Sequence, residues 1–254
     1  MDFTEKYTND SEEKIILRKI YDLLRQSEKT YTVRYTYFLT PAQQSLAAKV
    51  EEFIGKISFC GGYDYAERRL CRICADEFVN DDGFPAVLLK ITASAVNADI
   101  SHRDVLGALM GLGIKREMIG DIMAHDREAM FFVCDQVADF VEMNMTSVGR
   151  YTVSIEKSAP EQLPPPKTKR ANINVSSMRL DCICGEGFGM SRTKAADMIR
   201  KGMVSVNWLM CDNVSREVNE GDKISMRGKG KILVDGISGQ SKKGRLFVDI
   251  LKYI

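Results

Sequence analysis

Apolar residues recur at helical spacing near the start of the chain, where the stretch 15–24 places them on one face. A second helix is predicted where Thr40, Pro41 and Gln43 supply an N-cap, a first helical residue and a capping box. The segment between these two helices alternates apolar and polar residues as a strand does. Residues 1–75 are therefore predicted to form a small α+β unit.

The next stretch, 76–157, predicts four strands and two helices in the order β-α-β-β-α-β. The strands are predicted at 84–92, 119–123, 129–133 and 151–155, and the helices at 101–112 and 134–143. This order is that of a ferredoxin-like or RRM-like sandwich. The stretch lacks the aromatic RNP1 pattern, so RNA stacking on this sheet is not predicted. A purely structural sandwich accounts for these residues equally well.

A proline-rich stretch separates this front part from the rest of the chain. Four of the six prolines lie at 160–166, and such stretches favour extended polyproline geometry and act as semi-rigid spacers. We therefore predict a linker at 158–173 and a small domain at 174–254, which makes the whole chain an α+β protein. That domain is predicted to contain helices at 177–184 and 191–201, strands at 204–208 and 223–227, and a C-terminal hairpin at 232–250.

Composition narrows the class of protein. Of 254 residues, 44% are hydrophobic and 28% are charged, which excludes wholesale disorder. No apolar run reaches the ~18 residues of a membrane helix, and the first residues lack the basic start and apolar core of a signal peptide. A cytoplasmic location and no membrane partner are therefore expected. Seven cysteines, an odd number, indicate reduced thiols rather than a disulfide framework.

Charge is divided unevenly along the chain. Residues 1–166 contain 19 Lys+Arg and 26 Asp+Glu, a formal charge of −7. Residues 167–254 contain 17 Lys+Arg and 9 Asp+Glu, a formal charge of +8. A basic final third suggests a polyanionic partner for that part of the chain, although charge also varies between domains by chance.

The clearest candidate site is the second helix of the C-terminal domain. Ser191 and Arg192 stand at its N-terminus, where backbone N–H groups and the helix dipole favour phosphate. The Arg192 guanidinium offers a planar fork for a phosphate or a guanine edge, and Lys194 can join it near the helix end. Arg200 and Lys201 close the helix, where they either bind an anion or only complement the dipole.

Several short segments of this domain, in this order, resemble the S4 RNA-binding domain. They are Arg179-Leu180-Asp181, Ser191-Arg192, 199–202, 204–207 and 221–228. The resemblance implies an S4 (α-L) fold in which the second helix and the following strands present a basic concave face to structured RNA. Carried over position by position, it implies RNA contacts at Ser191, Arg192, Lys194, Arg200, Lys201, Asn207, Arg227 and Lys229. Trp208 stands where many S4 domains have glycine, and it either stacks on a base or fills the core.

Longer segments at 38–44, 61–69, 102–116 and 206–208 resemble the YlmH family. Its members join an N-terminal unit and an RRM-like unit to a C-terminal S4 domain. The family is linked to the large ribosomal subunit and to translation quality control. The resemblance therefore implies a non-catalytic accessory factor that binds rRNA of the large subunit, tRNA, or both.

A second group of cations lies in the acidic front part of the chain, at Arg68, Arg69, Arg72, Lys115 and Arg116. All five are candidates for a second RNA surface. For the arginines at 68–72, ion pairs within the fold are an equally good interpretation, with Glu67, Asp76 and Glu77 as partners.

Two other functions stay open. The first is an RNA-modifying enzyme, because S4 domains also occur in pseudouridine synthases and methyltransferases, but no aspartate loop or glycine-rich cofactor turn is visible. The second is a cell-division scaffold, because genes of the YlmH family often neighbour cell-division genes. No GxxxxGK[ST], HExxH or GxSxG element is present. A lone CxxC at Cys71 and Cys74 lacks the further ligands of a zinc site. We therefore expect no catalysis, no cofactor and no metal, and a monomer.

Overall fold

The structure, a computed structural model, describes residues 2–75, 83–160, 163, 167–242 and 244–253. Contacts between Cα atoms divide the chain into two units, 1–164 and 165–254, which we call unit 1 and unit 2. None of the described helices is long and apolar enough to cross a membrane.

The first half of unit 1 is a three-stranded antiparallel sheet with a long helix. Its elements are α1 (Ser11–Thr30), β1 (Arg34–Leu39), α2 (Pro41–Ala47), β2 (Ile57–Cys60) and β3 (Arg69–Ile73), with short 3₁₀ helices at Phe3–Lys6 and Glu51–Phe53. The strand order is β1-β3-β2. One face of α1 buries Leu17, Ile20 and Leu24. These side chains form a core with buried residues of β1, α2, β3 and the 3₁₀ helix at Glu51–Phe53.

The N-termini of these two helices follow from local sequence signals. Asp10 caps α1 by accepting hydrogen bonds from the backbone N–H groups of Glu12 and Glu13, each at 2.9 Å. At α2, Thr40 and Gln43 form the reciprocal hydrogen bonds of a capping box, as predicted. Both signals are readable from the sequence because they involve residues at most three positions apart.

The second half of unit 1 is a five-stranded antiparallel sheet with two helices. Its elements are β4 (Ala86–Ala93), α3 (His102–Gly111), β5 (Ile119–His125), β6 (Glu128–Cys134), α4 (Asp135–Asn144), β7 (Ser147–Val148) and β8 (Tyr151–Ser158), with a 3₁₀ helix at Arg116–Met118. The strand order is β5-β6-β4-β8-β7, and every neighbouring pair is antiparallel. Apart from the two-residue β7, this is the ferredoxin-like arrangement, so the predicted sandwich is confirmed.

The first half of unit 1 covers the face of this sheet that lies opposite α3 and α4. Phe132 of β6 stacks on Tyr63, with ring centroids 5.8 Å apart and planes 6° apart. Phe132 also shares a buried cluster with Phe38, Leu70 and Leu88. RRM proteins bind RNA on the corresponding sheet face, but here that face is interior. The two halves share this core, and a domain boundary at residue 75 stays a prediction.

Unit 2 is a six-stranded antiparallel sheet with two helices on one face. Its elements are β9 (Thr168–Val175), α5 (Leu180–Gly187), α6 (Arg192–Arg200), β10 (Val204–Val206), β11 (Leu209–Met210), β12 (Lys223–Met226), β13 (Gly230–Gln240) and β14 (Leu246–Tyr253). The strand order is β11-β10-β12-β13-β14-β9. Alternate residues such as Val206, Ile224 and Val248 are buried under the helices. The residues between them, on what we call the outer sheet face, are half-buried or exposed.

The predicted linker is wrong at its C-terminal end. Residues 168–173 belong to β9, which pairs with β14 along its whole length, from Val175 opposite Leu246 to Thr168 opposite Tyr253. The alternation that ends in the buried Ile173 and Val175 is typical of a strand. The preceding prolines and cations obscure that signal in the sequence.

The glycines after Cys184 do not end the first helix of unit 2, contrary to the prediction. α5 continues through Gly185 and Gly187. A Cβ at Gly187 would lie 2.7 Å from the Cδ1 of Ile232 in the sheet. Glycine therefore lets α5 approach the sheet closely, and this packing offsets the poor helix propensity of glycine.

The strand predicted at 204–208 is also shorter than expected. β10 ends at Val206, and Asn207 and Trp208 form a tight turn with φ angles of +49° and +66°. The Trp208 side chain therefore does not continue the alternation of the strand.

Candidate nucleic-acid interface

The N-terminus of α6 presents two cations beside free backbone donors. Ser191 is the N-cap, and its hydroxyl accepts a hydrogen bond from the Lys194 N–H at 3.3 Å. The Arg192 side chain is 54% exposed, and Lys194 is exposed as well. Since the first backbone N–H groups of a helix carry partial positive charge and point outward, this end of α6 attracts an anion.

A buried carboxylate fixes the position of Arg192. Asp181 is 3% exposed and accepts hydrogen bonds from Arg192 Nε at 2.8 Å and from two nitrogens of Arg179 at 3.1 and 3.2 Å. Burial is the largest influence on the pKa of Asp181 and raises it, but the hydrogen bonds from the two arginines together outweigh burial and lower that pKa below its usual value. We call these three residues the Asp181 clamp. The terminal nitrogens of Arg192 have no hydrogen-bond partner in the part of the chain that the structure describes.

The Asp181 clamp should make the stability of unit 2 depend on pH. A carboxyl whose pKa is lowered by folding stabilises the fold fully above its unfolded value of 3.8, and this contribution is lost as the pH falls below that value. We therefore expect Asp181→Asn to destabilise unit 2 by about 1–3 kcal/mol at neutral pH, and to flatten the loss of stability below about pH 4. Thermal unfolding of both proteins between neutral and acid pH measures this, and parallel curves would contradict it.

A cleft of about 280 Å³ opens beside the Asp181 clamp. Arg192 and Arg245 both line it, together with Ser176, Cys182, Gly185, Glu186, Met190 and Val175. Arg245 Nε donates a hydrogen bond to Asn174 Oδ1 at 2.7 Å, and one of its terminal nitrogens lies 3.7 Å from the Glu186 carboxylate. Two guanidinium groups on one cleft suit a phosphate, which accepts several hydrogen bonds at once.

The turn between β12 and β13 brings further cations to the C-terminal end of α6. The Arg227 N–H donates to the carbonyl of Met203 at 2.9 Å, so this turn lies beside Arg200 and Lys201. Lys229 follows in the same turn. All four of these cationic side chains are exposed.

These cations remain accessible to a ligand. Arg200 pairs with Asp197 at 3.1 Å, but both side chains are more than half exposed, and such surface pairs contribute only about 0.3–0.5 kcal/mol. A phosphate can therefore replace Asp197 at little cost. The nine residues of α6 span about 13 Å at 1.5 Å per residue, so one RNA can contact the cations at both of its ends.

Asn207 maintains a turn rather than presenting its amide to a ligand. Its Nδ2 donates to Asp222 at 2.6 Å, and its Oδ1 accepts from the Lys223 N–H at 2.9 Å. Both ends of the amide are thus engaged within unit 2, and the interface proposed below does not include Asn207.

In unit 1, Arg68 and Arg116 serve the fold. Arg68 donates hydrogen bonds to the carbonyls of Phe38, Ile119 and Arg116 at 3.0, 2.8 and 3.2 Å. Asp121 accepts from the Arg68 N–H at 3.0 Å. Burial above all, with the charge of Arg116, lowers the pKa of Arg68 to about 10, which leaves it cationic at neutral pH. Arg116 itself donates to the carbonyl of Ile119 at 2.7 Å.

The other three cations of the predicted second surface, Arg69, Arg72 and Lys115, differ in how far they are buried. Arg69 donates to the carbonyl of Ala66 at 2.8 Å, and Arg72 is half-buried in β3. Lys115 is the one exposed side chain among the five predicted cations. Of the acidic partners considered for the arginines, Asp76 and Glu77 lie outside the described residues.

Two of the buried thiols, Cys71 and Cys184, fit a structural role. Burial raises the pKa of Cys71 to about 12, and chiefly burial does the same for Cys184. Such thiols stay protonated at neutral pH, whereas zinc binding and nucleophilic attack need thiolates. The described residues contain no group of three or more side chains that could hold a metal ion.

Three cations of unit 2 carry no signal strong enough to be predicted as part of a site. Lys223 and Lys231 precede the buried Ile224 and Ile232. This alternation shows that the two lysines face outward, but it does not show that they belong to a binding site. Arg245 is placed by Asn174, 71 positions away, and a contact of that range leaves no local pattern.

Two helices against an antiparallel sheet, with cations at both ends of the second helix, form a unit of the S4 class. The S4 domain model matches residues 178–224, and a model described as "Putative RNA-binding domain in YlmH" matches residues 80–162. The ribosome-associated protein quality control protein P2 of Bacillus subtilis (strain 168) is 32% identical over 240 residues, which cover 92% of this chain and 93% of the relative. The chain belongs to the YlmH family, as its motifs indicate.

A solved structure shares the fold. Cell division protein ylmH from Streptococcus pneumoniae matches with a TM-score of 0.53 and 22% sequence identity, over 62% of this chain and 98% of its own. At this level of identity the likeness concerns the fold alone.

Proposed function

We propose that this chain is a non-catalytic accessory factor of translation, which binds structured RNA of the large ribosomal subunit, tRNA, or both, through unit 2. Its relative in Bacillus subtilis is named a ribosome-associated quality control protein, which supports the same setting for this chain. The proposal includes a cytoplasmic location and a monomeric protein.

The observation that carries the proposal is the Asp181 clamp at the start of α6. A solvated arginine on a surface samples many positions, whereas Arg192 is held by a buried carboxylate while its terminal nitrogens stay available. Preorganisation of this kind lowers the entropy lost when a ligand binds. The backbone N–H groups of α6 and Lys194 add positive charge at the same place.

The spacing of the cations favours a polymer over a small anion. Arg192 and Lys194 lie at one end of α6, and Arg200, Lys201 and Arg227 lie at the other end. A ligand whose negative charge repeats along a backbone can satisfy both ends at once, and RNA has this property.

Crosslinking in cells, followed by sequencing of the attached RNA and mapping of the crosslinked peptides, tests the proposal on the full-length protein. We expect RNA of the large subunit or tRNA, attached to peptides that contain α6 or the β12–β13 turn. Crosslinks confined to unit 1 would contradict the proposal. Methylated nucleosides in the RNA after incubation with the purified protein, or pseudouridine, which leaves the mass unchanged and is detected by chemical derivatisation, would instead assign an RNA-modifying activity.

A further inference from the structure

Trp208 occupies a backbone position that usually selects a much smaller residue. Asn207 and Trp208 both have positive φ angles and connect the paired residues Val206 and Leu209. This is the geometry of a two-residue type I′ hairpin turn, in which glycine is the preferred second residue. Strained positions of this kind are frequent at functional sites, so the presence of the largest side chain here calls for a reason.

Trp208 does not fill the core of unit 2. It is half-buried and is absent from the cluster of buried apolar side chains that the structure describes beneath the helices. Its indole nitrogen is buried and has no hydrogen-bond partner among the described residues, whereas buried indole N–H groups of core tryptophans usually have one. Core packing therefore does not explain the residue.

The surroundings of Trp208 form a row in which aromatic rings alternate with ammonium groups. Lys223 Nζ lies 4.9 Å from the centre of the Trp208 ring and 6.0 Å from that of Tyr253. Lys231 Nζ lies 5.2 Å from the Tyr253 ring. Every member of the row is half-buried, and Lys223, Lys231 and Tyr253 lie on the outer sheet face, away from α6. We call these four residues the aromatic row.

We propose that the aromatic row stacks on unpaired nucleotides of the RNA that unit 2 binds. This inference rests on the proposed function and adds that the RNA has a single-stranded segment beside its structured part. Bases of any identity stack on aromatic side chains, while neighbouring lysines neutralise the phosphates of the same strand.

The composition of the row favours RNA over a peptide as its ligand. A nucleotide carries a flat ring and a negative charge in every repeat, and the row offers rings and positive charges in alternation. A sheet face that carries aromatic rings is also the kind of platform on which other proteins bind single strands.

The fluorescence of Trp208 reports on this surface directly, because it is the single tryptophan of the chain. The full-length protein is titrated with two synthetic hairpin RNAs that share one stem, one blunt-ended and one with a single-stranded extension. The anisotropy of a dye on the stem measures binding in parallel. We expect the extended RNA to quench Trp208 and to bind about 5- to 100-fold more tightly, and the blunt RNA to bind without quenching.

Matched variants separate stacking from folding. Trp208→Gly removes the ring and relieves the positive φ, so thermal stability should not fall, while the preference for the extended RNA should disappear. Tyr253→Leu should reduce that preference, and Tyr253→Phe should retain it because the ring remains. Lys252→Ala is the control, since Lys252 alternates with Tyr253 on β14 and belongs to the opposite sheet face.

The possible outcomes distinguish a failure of the aromatic row from a failure of the proposed function. If both RNAs bind equally without quenching, the aromatic row has no such role and the interface at α6 stands. If neither RNA binds, the proposed function itself is wrong. If Trp208→Gly binds both RNAs like the wild type but no longer co-sediments with ribosomes, the row contacts a protein, and the inference is overturned.

Discussion

Replacement of Arg192 and Lys194 together by alanine should weaken binding of structured RNA by about 10- to 100-fold, because each charge-assisted hydrogen bond to phosphate contributes about 1 kcal/mol or more. The salt dependence should change as well. Each phosphate contact contributes about −0.7 to −0.9 to the slope of log affinity against log salt. Loss of two contacts should therefore make the slope less steep by about 1.4 to 1.8.

Two further variants show whether position or only charge matters at this end of α6. Arg192→Lys keeps the charge but loses the planar fork held by Asp181, and should fall between the wild type and the double alanine variant. Lys169→Ala with Lys242→Ala removes the same charge from exposed positions outside α6 and should change affinity little. Anisotropy titrations over a series of salt concentrations measure all four proteins. An unchanged slope in the double alanine variant would contradict the interface.

Arg68→Met should destabilise unit 1 by about 2–4 kcal/mol, because three carbonyl groups lose their donor inside the fold. Unit 2 contains none of these contacts and should unfold as before. Calorimetry of the full-length protein should therefore show one transition lowered and the other unchanged.

A control on the surface of the same unit distinguishes this effect from a loss of charge. Arg127 is exposed in the turn between β5 and β6, so Arg127→Met should leave the unfolding of unit 1 almost unchanged. If Arg68→Met instead weakened RNA binding without lowering the unfolding temperature, the role of Arg68 in the core would be refuted. Such a result would support the second RNA surface predicted from the sequence.

Features that depend on near neighbours could be predicted from the sequence. The capping box of Thr40 and Gln43 joins residues three positions apart. The element order of the ferredoxin-like sandwich follows from local periodicity, and the structure confirms it. At the candidate site, the helix cap at Ser191 and the exposure of Arg192 and Lys194 follow in the same way from the start of an amphipathic helix.

Features that depend on distant partners could not be predicted. The sequence suits Arg68 equally well to RNA binding and to ion pairs with nearby carboxylates, but its acceptors are carbonyl groups that lie 30, 48 and 51 positions away. The strand β9 gains its partner from β14 at the other end of unit 2. A periodic pattern shows that a side chain faces inward or outward, but it does not show which segment covers it.

At the candidate interface, too, the contacts between distant residues could not be predicted from the sequence. The sequence offers no sign that Asp181 holds Arg192 across 11 positions, because a buried aspartate and an exposed arginine have no characteristic spacing. Asn207 is polar and lies in a turn, which suits ligand binding and turn stabilisation equally well. Only the positions of Asp222 and Lys223 reveal that its amide is already engaged.

The stacking of Tyr63 on Phe132 limits how the protein can be dissected. A fragment that begins near residue 80, where the match to the family model starts, would place Phe132 and Leu88 in water. An apolar patch of that kind promotes self-association, so the fragment should precipitate or form oligomers. The unit recognised by sequence comparison is thus smaller than the piece that can be purified, and expression trials should retain the whole of the first 160 residues.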